Sequence, residues 1–285
     1  MAITQTSDLN SLYNQIYERA LFVLRETNLM VNLVSNYSAN NFYTRNITTR
    51  PTLTVETATE AVDYTNAQSF GKTLVGSLTP QERIAQVIIT DLEIMNDPDP
   101  TAADASQEMG AAMAQQIDKD LLGVFSSFTT DAGPGAGASA TIAKVAAGIS
   151  ILNNRFATND GQINVVLSPY QWFPIWKLLG QPTGTQAFLG DLANQALRDY
   201  YVGNWLGVRW FTSANISIDA NDDAVGGIFT QSAIAFDSRI APYFEPQRDA
   251  SLRAVEMNLV CAYAVGLGKR ANFGVKFTSD CSVPS

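Results

Sequence analysis

An uninterrupted helical pattern from Thr101 to Phe128, TAADASQEMGAAMAQQIDKDLLGVFSSF, constrains the fold more than any other stretch. Ala105, Met109, Ala112, Met113, Ile117, Leu121, Val124, Phe125 and Phe128 recur at the spacing of one helical face, and no period-two strand fits them. Pro98 and Pro100 forbid helix upstream, Thr101 is placed to cap the first free N–H groups, and Asp104 meets the positive helix end. Downstream, Thr129-Thr130 leads into a glycine-rich segment with no helical continuation. At about 1.5 Å per residue the rod is about 40 Å long, as long as a small domain is wide. Its apolar stripe is narrow, with Gln107, Glu108, Gln115, Asp118 and Lys119 off it, so the helix is expected to lie on one partner surface. Met109, Met113, Ile117, Leu121 and Phe125 are the expected packing positions.

The residue types present remove most chemistry. Histidine is absent, which excludes imidazole bases, Ser-His-Asp and Cys-His nucleophiles and nearly all zinc sites. Cys261 and Cys281 are too few for a disulfide framework or thiolate cluster and read as reduced, packed thiols. No catalytic, cofactor-binding or metal residues are assigned. With 18 basic against 27 acidic residues, the chain is not built to grip nucleic-acid phosphates, although a wall beside DNA would carry the same balance. The opening MAITQTSDLN lacks a basic region followed by an apolar run, and no stretch approaches eighteen apolar residues, so a soluble cytosolic product without membrane contact is expected. At 285 residues, one intertwined unit and two domains are both open.

Residues 1–51 read as an arm rather than a core, with an amphipathic helix carrying Leu9, Leu12, Tyr13, Ile16, Ala20, Val23 and Leu24 on one face, and an Asn-rich tail ending at Arg45–Arg50. From Thr52 the alternation of Leu53, Val55 and Thr57, a polar tip at Asp63–Gln68 and a return through Phe70 to Leu78 predict a long two-stranded hairpin. Few large apolar residues support it, and an isolated hairpin is marginal in water, so a partner surface is implied. Gly71-Lys72-Thr73 is not a phosphate loop, because the first glycine of that motif would fall on Asn66. Glu82–Met95 is predicted as a strand with Ile84, Ile88, Leu92 and Ile94 on one side and Ala85, Val87 and Ile89 on the other. Asp97, Asp99 and Asp104 read as turn and cap chemistry rather than a cation site.

Beyond the glycine loop, Thr141 caps a helix with Ile142, Val145, Ala146, Ile149, Leu152 and Phe156 on its face. Ile163–Leu167 is a short strand. Ser168-Pro169-Tyr170-Gln171 has the cap, first-turn proline and third-position Gln of a helix start, with Trp172 and Trp176 one turn apart and Pro174 expected to shorten or kink it. Asp191–Tyr201 is a further helix, Val202–Ile216 leads into a strand, and Gly226–Phe236, Leu252–Tyr263 and Phe273–Thr278 form a β-rich end.

This order of pieces, together with Val165-Val166-Leu167-Ser168-Pro169-Tyr170-Gln171-Trp172, Gly203-Asn204-Trp205-Leu206-Gly207-Val208 before Thr212-Ser213, and Arg248-Asp249 before an alternating strand, resembles the major capsid proteins of tailed bacteriophages with the Hong Kong 97 fold. The resemblance implies an α+β chain: an arm over 1–51, an extended loop over 52–80, a peripheral lobe with the spine helix over 81–128 and 236–266, and an axial lobe over 129–235 and 267–285. It implies a homo-oligomer of hexamers and pentamers closing an icosahedral virion capsid around double-stranded DNA without specific binding, assembled in the bacterial cytoplasm. A portal protein at one vertex and decoration proteins are further partners it allows. No long helical segment precedes the arm in this sequence, so curvature is expected from a separate scaffolding protein. Arg45, Arg50, Glu56, Glu60, Asp63, Tyr64 and Lys72 are the expected contacts between subunits. Some members crosslink this loop through a Lys; Lys72 alone does not carry that chemistry over. Two alternatives stand beside this reading: an encapsulin-type bacterial compartment shell, and a soluble α+β enzyme using Asp219, Asp222 and Asp223.

Overall fold

The computed structural model describes residues 29–39, 41, 43–96, 101–180 and 203–284. The helices expected over Asp8–Leu24 and Asp191–Tyr201, and Asp97 and Asp99, lie outside them. Two sheets enclose the main hydrophobic core, and a two-stranded ribbon packs on a smaller apolar cluster.

The first sheet has the order β1-β9-β10-β4. Its middle is the long antiparallel pair β9 (Ile234–Asp249) and β10 (Ala254–Leu267). The turn between them is set by Asp249, whose carboxylate accepts the N–H groups of Ser251 at 2.8 Å and Leu252 at 3.2 Å. β1 (Ser35–Ser38) runs parallel to β9, and β4 (Gln81–Thr90) runs antiparallel to β10. Pairing of Ala85, Val87 and Ile89 with Leu259, Met257 and Val255 gives one face its apolar character.

That face carries the long helix, α2 (Thr101–Gly123), continued by a 3-10 turn over Val124–Ser127. Met109, Met113, Ile117, Leu121 and Phe125 are all buried, and the Met113 thioether lies 3.2 Å from the Cys261 thiol on β10. Two positions differ from the sequence expectation. Ala112 is exposed, and Asp118 is buried, because its carboxylate accepts the Met30 N–H at 2.9 Å and the Asn215 amide at 3.1 Å. A polar side chain off the expected stripe thus anchors two distant segments.

The second sheet has the order β11-β8-β5-β7-β6. β5 (Asn164–Leu167) is buried throughout, parallel to β7 (Val208–Thr212) and antiparallel to β8 (Asp223–Phe229), while β11 (Gly274–Asp280) closes the far edge. β6 (Asn204–Trp205) joins β7 through Leu206 and Gly207, both at positive φ, as a two-residue hairpin requires. That hairpin stacks Trp205 on Trp210 with ring centroids 4.3 Å apart, and Trp172 packs on Trp210 at 5.3 Å. α3 (Ile142–Asn154) is capped by Thr141, whose side chain accepts the Lys144 N–H. At the start of α4 (Pro169–Gly180) the Gln171 amide oxygen accepts the Ser168 N–H at 3.0 Å, one half of a capping box, and the helix runs on past Pro174. Phe156, expected on the α3 face, is instead exposed at positive φ where the helix ends.

The two sheets meet at the C-terminal end of the long helix. Phe125 and Phe128 enter the second sheet where Gly227 and Gly274 leave room; a Cβ on Gly227 would lie 2.6 Å from the Phe125 ring. Only glycine permits that approach.

Three expectations need correction. The strand predicted to Met95 stops at Thr90, and Asp91–Asn96 forms a short helix, α1, because the Thr90 hydroxyl accepts the Glu93 N–H at 3.3 Å and acids fill the first turn. Part of the stretch expected in the arm packs within the subunit: Met30, Leu33, Val34 and Ile47 are buried, and β1 extends the first sheet. The hairpin ladder lies earlier than predicted, between β2 (Arg45–Thr49) and β3 (Thr73–Leu78), with no ladder over 51–72.

Candidate assembly surface

The segment between β2 and β3 leaves the subunit, so its base decides where it points. Ile47 and Leu78 pack with Ala235 and Ala264 in a small apolar cluster of their own. The absence of a side chain on Gly266 admits Leu78, whose Cδ2 would lie 2.7 Å from a Cβ there. A register break between Ile47 and Thr48 bends the ribbon above this cluster.

A charge cluster pins the same base. Asp237 on β9 is fully buried and accepts from Arg45 Nε at 2.7 Å and from Arg239 Nη2 at 2.6 Å. Arg239 Nη1 also donates to the Asn41 carbonyl and Oδ1, both at 2.8 Å. A buried carboxylate is tolerated only where it is compensated, and here two guanidinium groups do so. Arg45, expected at a contact between subunits, clamps β2 to β9 and stays partly exposed. Asp237 and Arg239 escaped the sequence reading, although two opposite charges two residues apart after apolar Ile234-Ala235-Phe236 were the available signal.

Beyond the base, every residue from Pro51 to Leu74 is exposed. Side chains replace the missing ladder. The Gln68 amide accepts from Thr54 N at 2.9 Å and donates to the Thr54 carbonyl at 2.6 Å, the pair of bonds a neighbouring strand would supply. Glu56 accepts from the Tyr64 hydroxyl at 3.1 Å and from Asn66. The Arg50 guanidinium lies 4.8 Å over the Phe70 ring. Ala61, at positive φ, turns the loop at its tip. Glu60, Asp63 and Lys72 are exposed, with no ion pair to them among the described residues.

Beside the long helix, Asp120 accepts from Arg83 at 3.0 Å, Tyr263 Oη at 2.7 Å and Gln116 at 2.7 Å, which fastens β4, α2 and β10 together. Burial, reinforced by the Asp120 carboxylate, pushes the Tyr263 phenol up. Burial likewise pushes the neighbouring Cys261 thiol up to about 12. At the sheet tip, the bidentate pair from Arg248 holds the Asp91 carboxyl below its usual range.

Two of the three acids of the enzyme alternative, Asp219 and Asp223, serve the backbone instead. Asp219 Oδ1 accepts the N–H groups of Asn221 at 2.8 Å and Asp223 at 2.9 Å, and Asp223 Oδ1 accepts that of Gly137 at 2.7 Å. Among the described residues no group of three metal-ligating side chains comes together, and no helix is long and apolar enough to cross a membrane.

Two sheets bridged by a long helix, with a loop held out beyond their core, define a shell-forming subunit with the Hong Kong 97 fold. Comparisons agree. The structure from Mycobacterium phage Che8 has a TM-score of 0.69 at 20% identity, covering 88% of this chain and 90% of that one. The head structure of Helicobacter pylori bacteriophage KHP40 gives 0.68 at 11% identity over 87% and 88%, and the mature capsid of bacteriophage PhiM1 gives 0.67 at 14% identity over 90% and 88%. No curated protein sequence matches. The profile of the family described as phage capsid protein matches residues 77–277, most of the chain, and the protein belongs to that family. It is a structural shell protein rather than an enzyme, a major capsid protein whose copies build the icosahedral head of the virion.

Proposed function

We propose that, in the closed head, the loop over residues 51–72 lies across a neighbouring copy and ties hexamers and pentamers together around double-stranded DNA. The observation that carries this reading is the loop's complete exposure: it has no packing of its own, only side-chain bonds that keep its two arms side by side. Arg50, Glu60, Asp63, Tyr64 and Lys72 are then available to a neighbour, whereas Arg45 serves the base. In the same reading the first sheet with α2 is the peripheral lobe, over 81–128 and 236–266. The second sheet is the axial lobe, over 129–235 and 267–285. The net charge of −9 suits a wall that encloses DNA without adhering to it. Assembly in the host cytoplasm, a scaffolding protein, a portal at one vertex and decoration proteins follow from the family resemblance.

The test replaces Glu56–Lys72 by a short glycine-containing turn. Few intramolecular contacts vanish, so the unfolding midpoint of the isolated subunit stays nearly unchanged. Sedimentation velocity then shows loss of shells. Normal shells from the loop replacement refute the reading.

A further inference from the structure

Asp118 ends a one-way chain of hydrogen bonds. The Gln115 amide donates to Asn215 Oδ1 at 3.0 Å, and the Asn215 amide donates in turn to Asp118 Oδ2 at 3.1 Å. The other oxygen, Oδ1, accepts the Met30 N–H at 2.9 Å. Asp118 is 1% exposed, and among the described residues no cation pairs with it. Its two donors come from segments 88 and 97 positions away along the chain. One is a strap, residues 29–34, which buries Met30, Leu33 and Val34 in the main core and is tied at its far end, where Gln231 donates to the Val34 carbonyl at 3.2 Å. The other is the loop after β7, residues 213–219, hung from the Leu167 carbonyl by the Ser213 N–H at 3.0 Å. That loop faces α2 across an open groove of about 760 Å³, whose lining includes Lys119, Leu122, Ser126, Ile216, Ile218 and Val225.

We propose that Asp118 is a conditional latch: the loop over 213–219 is held against α2 only while the strap over 29–34 is seated, so the strap decides whether the groove keeps its second wall. A carboxylate buried without a counter-charge is tolerated only when its donors are in place. Lifting the strap removes the Met30 N–H and the apolar cover of the Met30 side chain together, and admits water to the carboxylate. Water then competes for Oδ2, and the Asn215 bond loses the strength that a dry surrounding gives it. The coupling is reciprocal, because an unlatched loop must loosen the strap by the same factor. Charge is what makes the two contacts depend on each other. In Asp118→Asn the new amide accepts from Met30 with its oxygen and donates to Asn215, whose own amide turns over and passes the reversal on to Gln115. All three side chains are then satisfied amides, and no charge is left uncompensated when one partner leaves.

Hydrogen exchange of the full-length soluble subunit, read by mass spectrometry, tests this with Met30→Ala, Asn215→Ala and Asp118→Asn, singly and combined. Met30→Ala loosens the strap. Exchange is then expected to quicken at least about tenfold over 213–219 as well as over 29–34, while β10 keeps its wild-type rate. Asn215→Ala, at a half-buried position, is expected to quicken exchange over 29–34 by a similar factor. In the Asp118→Asn background each change stays local: Met30→Ala reaches only the strap, and Asn215→Ala only the loop. Spread to the partner segment that vanishes with the charge supports the latch, and a merely structural role does not produce it. If Met30→Ala quickens exchange everywhere, β10 included, the Asn215→Ala arm decides alone, since it leaves the core packing untouched. A partner segment that stays at its wild-type rate, or a spread that persists equally in the Asp118→Asn background, overturns the proposal.

Discussion

Gly227→Ala is a small change with a calculable consequence. The backbone at Gly227 has no positive φ, so alanine meets no torsional strain there. Its Cβ would, however, sit 2.6 Å from Cδ1 and 2.7 Å from Cε1 of Phe125, far inside van der Waals contact. Phe125 cannot yield easily, because it is fully buried and packed on Phe229 with ring centroids 5.3 Å apart. In a core packed like an organic crystal the misfit is expected to destabilise the subunit by about 1–3 kcal/mol. Phe125→Leu alone removes ring contacts and costs about 1–2 kcal/mol, well short of the 3–5 of a truncation to alanine. Together the two changes fit better than either predicts, with a favourable coupling of about 1 kcal/mol. Urea unfolding of the soluble subunit, followed by fluorescence of Trp205 and Trp210 in the second sheet and of Trp172 packed on them from α4, reads all four corners of the cycle. Additivity within about 0.5 kcal/mol, or a neutral Gly227→Ala, would refute the wedging of the long helix into that sheet.

Met113→Asp puts an unpaired carboxylate against β10 and is expected to destabilise by several kcal/mol, giving insoluble protein or lost near-ultraviolet dichroism. Asp237→Asn leaves the Arg239 and Arg45 guanidinium groups without their counter-charge, at a cost of about 3–5 kcal/mol; hydrogen exchange should quicken over 45–49 and 73–78 before the rest of the subunit. Folding raises the Cys261 thiol from 9.0 to about 12, so its contribution to stability is complete below pH 9 and declines as pH rises from there towards 12; alkaline unfolding of Cys261→Ala against the wild type measures that slope.

The long helix and most of its packing face were legible because a 28-residue pattern of period 3.6 has no competing reading. The cap at Ser168-Gln171 was legible for the same local reason. What local pattern does not carry is the identity of the partner. Asp118 reads as a solvated side chain until Met30 and Asn215 arrive from elsewhere in the chain. Likewise, Ile84 and Ile88 alternate like core residues, and only the placement of α2 on the opposite face leaves them outside. Of the loop's charges, read from sequence as contacts between subunits, Glu56 and Arg50 are engaged in ordering the loop itself.

The Thr54–Gln68 bonds supply one rung where a ladder would have many, so the two arms of the loop carry rows of backbone N–H and C=O groups with no partner strand. Free sheet edges recruit other chains indiscriminately. A subunit that assembles with its own copies meets such edges on every other copy before any shell exists. Pro51 at the root and the like charges Glu56, Glu60 and Asp63 along the arms are the residue types that discourage stacking of identical segments. Identical acidic arms thus disfavour pairing between two free loops.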